Sequence, residues 1–340
     1  MSPRIVRHSP FWARLALLSV LVAVSLVAAV RLGAISMTMS GMFDAIAGRG
    51  DPATIIIVRQ LRMPRALQAA LAGAALAVSG ATFQALLRNP LAEPYILGVS
   101  SGAAMGAVLT VVTGWSVRVV WSLPVAAFAG AVLSMLLVFR IAYGVGRTLD
   151  TRVLLLAGVV VSAFLVGIIW LVLTFADDQS VRSAIFWMMG SHANASWRSV
   201  EILASCLVPS LIILFALARP LNLLAIGEPT AAYLGTSVEH TKLVAFGTAT
   251  LLTAASVSVS GTIGFVGLVV PHAVRLVWGG DHRGLLPCST LAGAAFLVGA
   301  DTLSRSLAGA NELPIGIVTA LVGVPCFIWI LKRSPEARLA

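Results

Sequence analysis

Apolar residues occur along the whole chain in long runs that contain almost no charged side chains. A helix needs roughly 20 mostly apolar residues to cross the hydrocarbon core of a bilayer, and ten runs approach this length. The connections between the runs are too short for a soluble domain. The pattern predicts an all-α integral membrane protein of ten transmembrane helices, with spans near 11–30, 66–87, 95–112, 119–139, 153–175, 200–217, 243–259, 263–277, 285–303 and 313–331.

One apolar stretch is too long for a single straight crossing. Residues 243–274 contain no Asp, Glu, Lys or Arg, but they include Gly261, Gly264, Gly267 and Pro271. Because glycine and proline interrupt regular structure, we predict a tight turn near Gly261 that separates the seventh span from the eighth.

The composition agrees with a chain that has the bilayer as its solvent. Of 340 residues, 59% are hydrophobic and 11% are charged, and the mean hydropathy is +0.98. The net charge of +10 comes from basic residues in short connections, where they orient helices and meet lipid headgroups, so no nucleic-acid partner is expected. The three cysteines have no C-x-x-C spacing, and we interpret them as packing residues: Cys206, Cys288 and Cys326.

The basic residues also orient the chain. A cytoplasmic N-terminus places most Lys and Arg residues on the inner side, which predicts that both termini are cytoplasmic. Arg4, Arg7 and Arg14 precede the first apolar run as in a signal peptide, but the run to Val30 is long enough to span. We therefore predict a retained first helix. Four arginines cluster in one outer connection: Arg49, Arg59, Arg62 and Arg65.

Nine short motifs follow one another along the chain. They are R-M-P-R (Arg62–Arg65), G-A-A-L-A-V-S-G-A (Gly73–Ala81), Q-A-L-L-R-N-P-L-A-E-P-Y-I-L-G-V-S-S-G-A (Gln84–Ala103), L-L-L-A-G (Leu154–Gly158), F-W-M-M-G (Phe186–Gly190), G-E-P-T-A-A-Y-L-G-T-S-V (Gly227–Val238), G-F-V-G-L-V-V-P-H (Gly264–His272), E-L-P-I-G (Glu312–Gly316) and G-V-P-C-F-I-W-I-L (Gly323–Leu331). In this order they closely resemble the FecCD family of permeases, which serve type II ABC importers for siderophores, haem and cobalamin. The resemblance covers nearly all of the chain.

The resemblance implies a type II ABC importer permease fold, with residues 1–340 forming a single transmembrane domain in the bacterial inner membrane. It implies a homodimer with the pathway at the dimer axis, two copies of a cytoplasmic ABC ATPase, and a periplasmic substrate-binding protein. The chain has no G-x-x-x-x-G-K-[ST] phosphate loop, so we expect neither enzyme activity nor a cofactor bound by this chain. ATP and Mg would be used by the partner ATPase.

The longest inner connection runs from Arg219 to Lys242, between spans six and seven. It has the glycine and proline punctuation of a short capped helix. The resemblance implies coupling helices at about 220–241 that sit in a groove of the ATPase; the alternative is an ordinary surface helix. The candidate contact residues are Gly227, Glu228, Pro229, Ala231, Ala232, Leu234 and Gly235.

Three arginines are expected at the outer face. Arg62 and Arg65 open span two, and Arg305 ends span nine. The resemblance implies that all three pair with acidic residues of the substrate-binding protein. Alternatively, Arg305 pairs with Asp301 one turn back, while Arg62 and Arg65 extend to lipid headgroups.

Small residues and prolines mark the expected pathway. The resemblance places span five at the dimer axis, which makes Gly158, Ser162 and Gly167 candidates for the pathway or the dimer interface, although small residues there serve helix packing equally well. The R-N-P-L-A-E-P loop is expected to break helix geometry at the inner mouth, with a purely structural turn as the alternative. Its candidate residues are Asn89, Pro90 and Pro94.

Two histidines lie in or beside these motifs. His192 follows F-W-M-M-G in a predicted outer loop, and an imidazole there can ligate haem iron. A lone exposed histidine is more often solvated, so we favour that interpretation. His272 follows Pro271 and is expected to be structural, and we predict no metal site.

Two other classes of protein are alternatives to an importer. An ion-coupled secondary transporter with inverted repeats would be consistent with the tripeptide V-S-G at Val78–Gly80 and Val259–Gly261, but it requires acids along the path, which most spans lack. An intramembrane enzyme requires paired carboxylates, a His-rich cluster, or a nucleophile with a base, and we find no such set. We therefore expect an ATP-driven importer of an iron chelate (siderophore or haem) or cobalamin; the motifs do not separate these cargoes.

Overall fold

The computed structural model describes residues 10–33, 37–119, 121–146, 149–307 and 312–333, and every regular element in these ranges is helical. The predictions about Arg4, Arg7 and both chain termini lie outside the described residues. The helices are α1 Phe11–Arg31, α2 Met39–Ala47, α3 Pro52–Ile56, α4 Met63–Leu86, α5 Val99–Val112, α6 Trp115–Arg118, α7 Ser122–Gly146, α8 Thr151–Thr174, α9 Asp178–Met188, α10 Trp197–Ala216, α11 Ala218–Ile226, α12 Glu228–Tyr233, α13 Val238–Ser260, α14 Val266–Trp278, α15 His282–Leu307 and α16 Ile315–Arg333, with a 3-10 turn at Pro94–Leu97.

A helix occupies each of the ten predicted spans, which confirms the all-α membrane fold. Among the described residues, seven helices are long and apolar enough to cross a bilayer by themselves. The other three predicted spans correspond to shorter apolar helices, α5, α14 and α16. Crossing by these three stays a prediction.

The second span differs from its prediction at its beginning. A π-helical stretch at Ile57–Arg62 joins α3 to α4, so Pro52–Leu86 is one continuous helix. Arg59, Arg62 and Arg65 therefore lie on this helix and not in a connection. The helix extends through these charges because other parts of the chain supply hydrogen-bond partners, and sequence periodicity does not show such partners.

The predicted turn in the long apolar stretch is present. Helix α13 ends at Ser260, and Gly261 has a φ of 68° in the left-handed region, which glycine adopts without steric cost. Helix α14 begins at Val266 after the irregular segment 261–265.

Helix α4 is the central element of the fold. Nearly all of its residues are buried, and its small side chains allow close approach of neighbouring backbones, as helix packing within a bilayer requires. A Cβ atom on Gly73 would overlap the carbonyl oxygen of Gly293 in α15, and one on Gly80 would overlap that of Gly267 in α14.

Helix α13 packs antiparallel to α4. The Gln68 side chain donates to the Val259 carbonyl oxygen at 3.1 Å, while the Ser79 hydroxyl donates to that of Ala249 at 3.0 Å. Residue numbers therefore rise along one helix as they fall along the other.

A second tightly packed group consists of α5, α7 and α8. Gly102 and Gly106 form a G-x-x-x-G pair on α5, and a Cβ atom on either would overlap the α7 backbone at Gly130 or Ala126. Helix α1 is peripheral, since only Leu18, Ala29 and Val30 are buried among its residues. The three cysteines are expected to be packing residues. Cys288 is buried and Cys206 is half-buried, which agrees with this expectation, whereas Cys326 is exposed within the described protein.

We predict that Gly73→Ala lowers the free energy of unfolding by about 1–3 kcal/mol, because the added methyl group forces α4 away from α15. The matched control is Gly299→Ala in α15, where a Cβ atom has no neighbour within 4 Å. Thermal unfolding of the detergent-solubilised protein measures both variants. Equal unfolding temperatures for the two would contradict the close helix contact.

Candidate functional site

Five charged side chains converge where α1 and α15 end and α4 begins. We call them the arginine cluster: Arg62, Arg65, Asp301, Arg305 and Glu312. The Asp301 side chain is fully buried within the described protein. Because a buried charge is costly unless it is paired, these groups must satisfy one another.

Arg65 connects both carboxylates of the cluster. Its Nε atom lies 3.1 Å from each oxygen of Asp301, and its Nη1 atom donates to the two oxygens of Glu312 at 2.8 and 2.9 Å. A guanidinium group has five donors in one plane and can bind two carboxylates at once. Arg65 therefore joins α4 to α15 and to the segment that precedes α16.

Arg62 and Arg305 bind the last carbonyl groups of α1. Arg62 Nη1 donates to Val30 O at 2.9 Å and to Arg31 O at 3.1 Å. Arg305 Nη2 donates to Ala29 O at 3.0 Å. The last carbonyls of a helix have no partner within the helix and carry partial negative charge, so the two arginines cap α1.

This geometry bears on the docking prediction for Arg62, Arg65 and Arg305. Arg305 Nε lies 3.2 Å from Asp301 Oδ2, so the ion pair considered as an alternative is present. Arg62 and Arg65 are only 8% and 9% exposed, and both donate hydrogen bonds to groups of this chain. Docking stays a prediction.

His192 does not lie exposed in a loop, as the sequence suggested. It is fully buried; its Nε2 atom lies 3.1 Å from Ser260 Oγ, and its Nδ1 atom lies 3.6 Å from Asp301 Oδ1. Both ring nitrogens face groups of the protein, which does not support ligation of haem. His192 instead links the arginine cluster to the end of α13.

The motifs F-W-M-M-G and E-L-P-I-G meet the V-S-G tripeptide beside His192, at a point that we call the glycine junction: Gly190, Gly261 and Gly316. A Cβ atom on any of the three would overlap or crowd a backbone carbonyl oxygen of a neighbouring segment, so only glycine fits. The junction joins the ends of α9 and α13 to the beginning of α16. Its backbone hydrogen bonds are Ser191 N to Ser260 O (2.8 Å), Ile315 N to Gly190 O (3.0 Å) and Gly316 N to Met189 O (3.0 Å).

The predicted inner-mouth loop begins at the surface and then turns into the protein. Asn89 is exposed, and its Oδ1 atom accepts a hydrogen bond from Leu91 N at 2.9 Å. Pro90 is half-buried, whereas Pro94 is buried against Gly267 in α14. Only the first part of this loop lies at the end of the bundle.

The inner part of the same loop binds the irregular segment between α13 and α14. The Tyr95 hydroxyl donates to Ile263 O at 2.9 Å and accepts from Ile263 N at 3.0 Å, while Glu93 Oε1 accepts from Phe265 N at 2.8 Å. These bonds satisfy backbone groups that the interrupted helix leaves without partners. The sequence shows the prolines of the loop but not this long-range role.

Two cavities adjoin the glycine junction. The larger, of 1230 Å³, is lined by the α5–α7 connection, by α9 and by residues that include Gly261 and Glu312. Asp177 also lines it, and hydrogen bonds from Ser180 hold the pKa of this carboxyl group below its usual range. The smaller cavity, of 350 Å³, lies between α5 and α8 and includes Thr262 in its wall.

The three candidates on α8 lie in different environments. Ser162 lines the smaller cavity. Gly158 is buried, and a Cβ atom there would overlap the carbonyl oxygen of Ile96, so this residue serves contact within the subunit. Gly167 is exposed and has no neighbour within 4 Å of a Cβ position.

The predicted coupling segment forms two helices, α11 and α12. Gly227 and Gly235 flank α12 with φ values of 152° and 81°, and Pro229 lies in its first turn. Ala231 is fully buried, whereas Ala232 and Leu234 are exposed.

Tyr233 was not among the predicted contact residues of this segment, although it is 91% exposed. An aromatic side chain at the end of a short capped helix is the signal that could have identified it.

We predict that Asp301→Asn lowers the free energy of unfolding by about 3–5 kcal/mol, because it leaves two buried guanidinium groups without a full counter-charge. Asp178→Asn, at an exposed position in α9, is the matched control and should change stability little. Thermal unfolding in detergent tests both variants. If Asp301→Asn unfolds at the same temperature as the unmodified protein, the stability of the cluster does not depend on this carboxylate.

Known proteins match this chain over most of its length. The sequence model of the FecCD transport family matches residues 20–333. The cobalamin import system permease BtuC of Halobacterium salinarum is 47% identical over 290 residues, which are 85% of this chain and 77% of that protein. The hemin transport system permease HmuU of Yersinia pestis is 38% identical over 328 residues, 95% of this chain and 96% of that protein.

A solved structure shares the fold. It is an inward-facing conformation of a transporter assigned to the metal-chelate type of ABC transporter, with a TM-score of 0.84 and 32% sequence identity, and the match covers 94% of this chain and 99% of that one. The motifs, the helical architecture and these matches agree over nearly the whole sequence. The chain belongs to the FecCD transport family.

Proposed function

We propose that this chain is the transmembrane permease subunit of an ATP-driven importer that moves an iron chelate (siderophore or haem) or cobalamin from the periplasm to the cytoplasm. The observation that carries the proposal is the family match over residues 20–333. The relatives named for cobalamin and hemin transport support the class of cargo. The 1230 Å³ cavity beside the glycine junction is of a size that suits a bulky ligand.

The exposed face of α8 supports a homodimer. Leu156, Val159, Val160 and Phe164 are all more than half exposed, and they form an apolar surface beside Ser162. A second copy of the chain would cover this surface and would place the smaller cavity near the dimer axis. Lipid would cover it in a monomer.

The arginine cluster supports docking of a periplasmic substrate-binding protein. Three guanidinium groups face only two carboxylates, so the cluster keeps a positive charge that attracts acidic side chains. Complementary charge steers and orients such an encounter. Arg62, Arg65 and Arg305 would act mainly by this field, because their donors already bind groups of this chain.

The end of the α11–α12 segment supports binding of a cytoplasmic ATPase. Ile226, Tyr233 and Leu234 are 70%, 91% and 61% exposed, which is unusual for large apolar side chains so close together. The ATPase would bind ATP and Mg. An ion-coupled mechanism receives no support from Asp301, because that buried acid is paired with Arg65 and Arg305.

Uptake into proteoliposomes tests the function. We expect ATP inside the vesicles to drive accumulation of one cargo when this chain, its candidate ATPase and the binding protein are present. Labelled haem, a ferric siderophore and cobalamin are supplied separately, and vesicles that contain ADP are the control. Accumulation that follows an imposed ion gradient and ignores ATP would favour a secondary transporter.

We predict that Leu234→Asp weakens binding of the ATPase about tenfold or more, because it places a charge within an apolar contact. Gly280→Asp adds the same charge to the exposed loop between α14 and α15 and should leave binding unchanged. Titration of the labelled ATPase onto the reconstituted permease measures both affinities. Equal affinities of the two variants for the ATPase would show that α12 is not part of the ATPase contact.

A further inference from the structure

Lys242 is one of two lysines in the sequence, and it is 3% exposed. Its Nζ atom donates a hydrogen bond to Glu228 Oε1 at 2.9 Å and another to the carbonyl oxygen of Leu149. A buried ammonium group is tolerated only where acceptors replace its lost water. Lys242 thus holds two separate segments against α13.

The first of these segments is the proposed ATPase contact. Glu228 is the first residue of α12, and its side chain is 33% exposed. The ion pair with Lys242 attaches the beginning of α12 to the first turns of α13. The other end of α12, at Tyr233, projects from the bundle, since the side chain of that residue is 91% exposed.

The second segment leads into the helix that carries Ser162. Leu149 is 2% exposed and directly precedes Asp150, whose Oδ1 atom accepts a hydrogen bond from Arg152 N at 2.7 Å and so caps α8. A displacement of the Leu149 carbonyl group therefore displaces the first turn of α8.

We propose that Lys242 is a positioning residue that transmits displacement of α12 to α8, and that it does so through the two hydrogen bonds of its ammonium group. This inference rests on the proposed function, in which the ATPase moves α12 and α8 borders the pathway. The physical basis is that the buried ammonium group of Lys242 loses a hydrogen-bond partner if either acceptor moves away by itself, and an unpaired charge in an apolar environment is costly. Segments that share such a group move together.

The link is tested first in the isolated permease. Spin labels are placed at Ala232→Cys in α12 and Arg152→Cys in α8, both exposed positions, after the three native cysteines are replaced by alanine. Lys242→Met keeps the aliphatic stem and removes the ammonium group. We expect a broader distribution of distances between the labels in Lys242→Met, and a narrow one in the neighbouring control Leu243→Ala.

Lys242→Arg retains a cation and should restore at least part of the narrow distribution, provided that the protein remains folded in a thermal unfolding assay. An unchanged distribution in folded Lys242→Met would overturn the proposal. This result does not depend on any ATPase, so it separates the link from the proposed function.

Transmission is tested in the assembled importer. Lys242→Met should retain ATPase binding and ATP hydrolysis while cargo transported per ATP falls roughly tenfold. Glu228→Gln combined with Lys242→Met should be no worse than Lys242→Met alone, because both changes break the same link. Normal transport per ATP in Lys242→Met would overturn transmission, whereas failure of the unmodified chain to bind any ATPase would overturn the proposed function itself.

Discussion

One end of the bundle depends on the ion pairs of the buried Asp301 carboxylate. Arg65, Arg305 and His192 approach it from three different segments, and each of them also binds a further group. A buried charge is stable only when all of its partners are in place, so α1, α4, α15 and the segment before α16 must assemble together. The same set of contacts leads through His192 to the glycine junction, which borders the larger cavity.

Away from that end, the fold depends on close approach of helix backbones and not on charged groups. Helix α4 can lie at the centre because Gly73 and Gly80 leave room for the backbones of α15 and α14. Apolar side chains gain little by meeting one another in lipid, so packing of small residues and satisfied backbone groups must hold the helices together. The irregular segment 261–265 is compatible with this environment because Tyr95 and Glu93 bind its backbone.

The sequence predicts features that depend on local composition and leaves out those that depend on distant partners. Apolar runs indicate the helices, and Gly261 marks the break after α13, because both signals lie within a few neighbouring residues. The continuation of α4 back to Pro52 depends on partners for Arg62 and Arg65 that lie far away in the chain. The burial of His192 likewise depends on Ser260 and Asp301, which no local pattern connects with it.

The capping of α1 also constrains how the chain is assembled as it is made. Arg305 and Ala29, whose groups are hydrogen-bonded, lie 276 positions apart, so α1 enters the membrane long before α15 exists. Until then Arg62 is the only one of its two capping arginines that has been made, and few residues of α1 are buried even in the complete fold. Helix α1 is thus made well before the contact that completes its capping, and a factor that keeps it close to the growing protein would take the role of Arg305 until α15 is inserted.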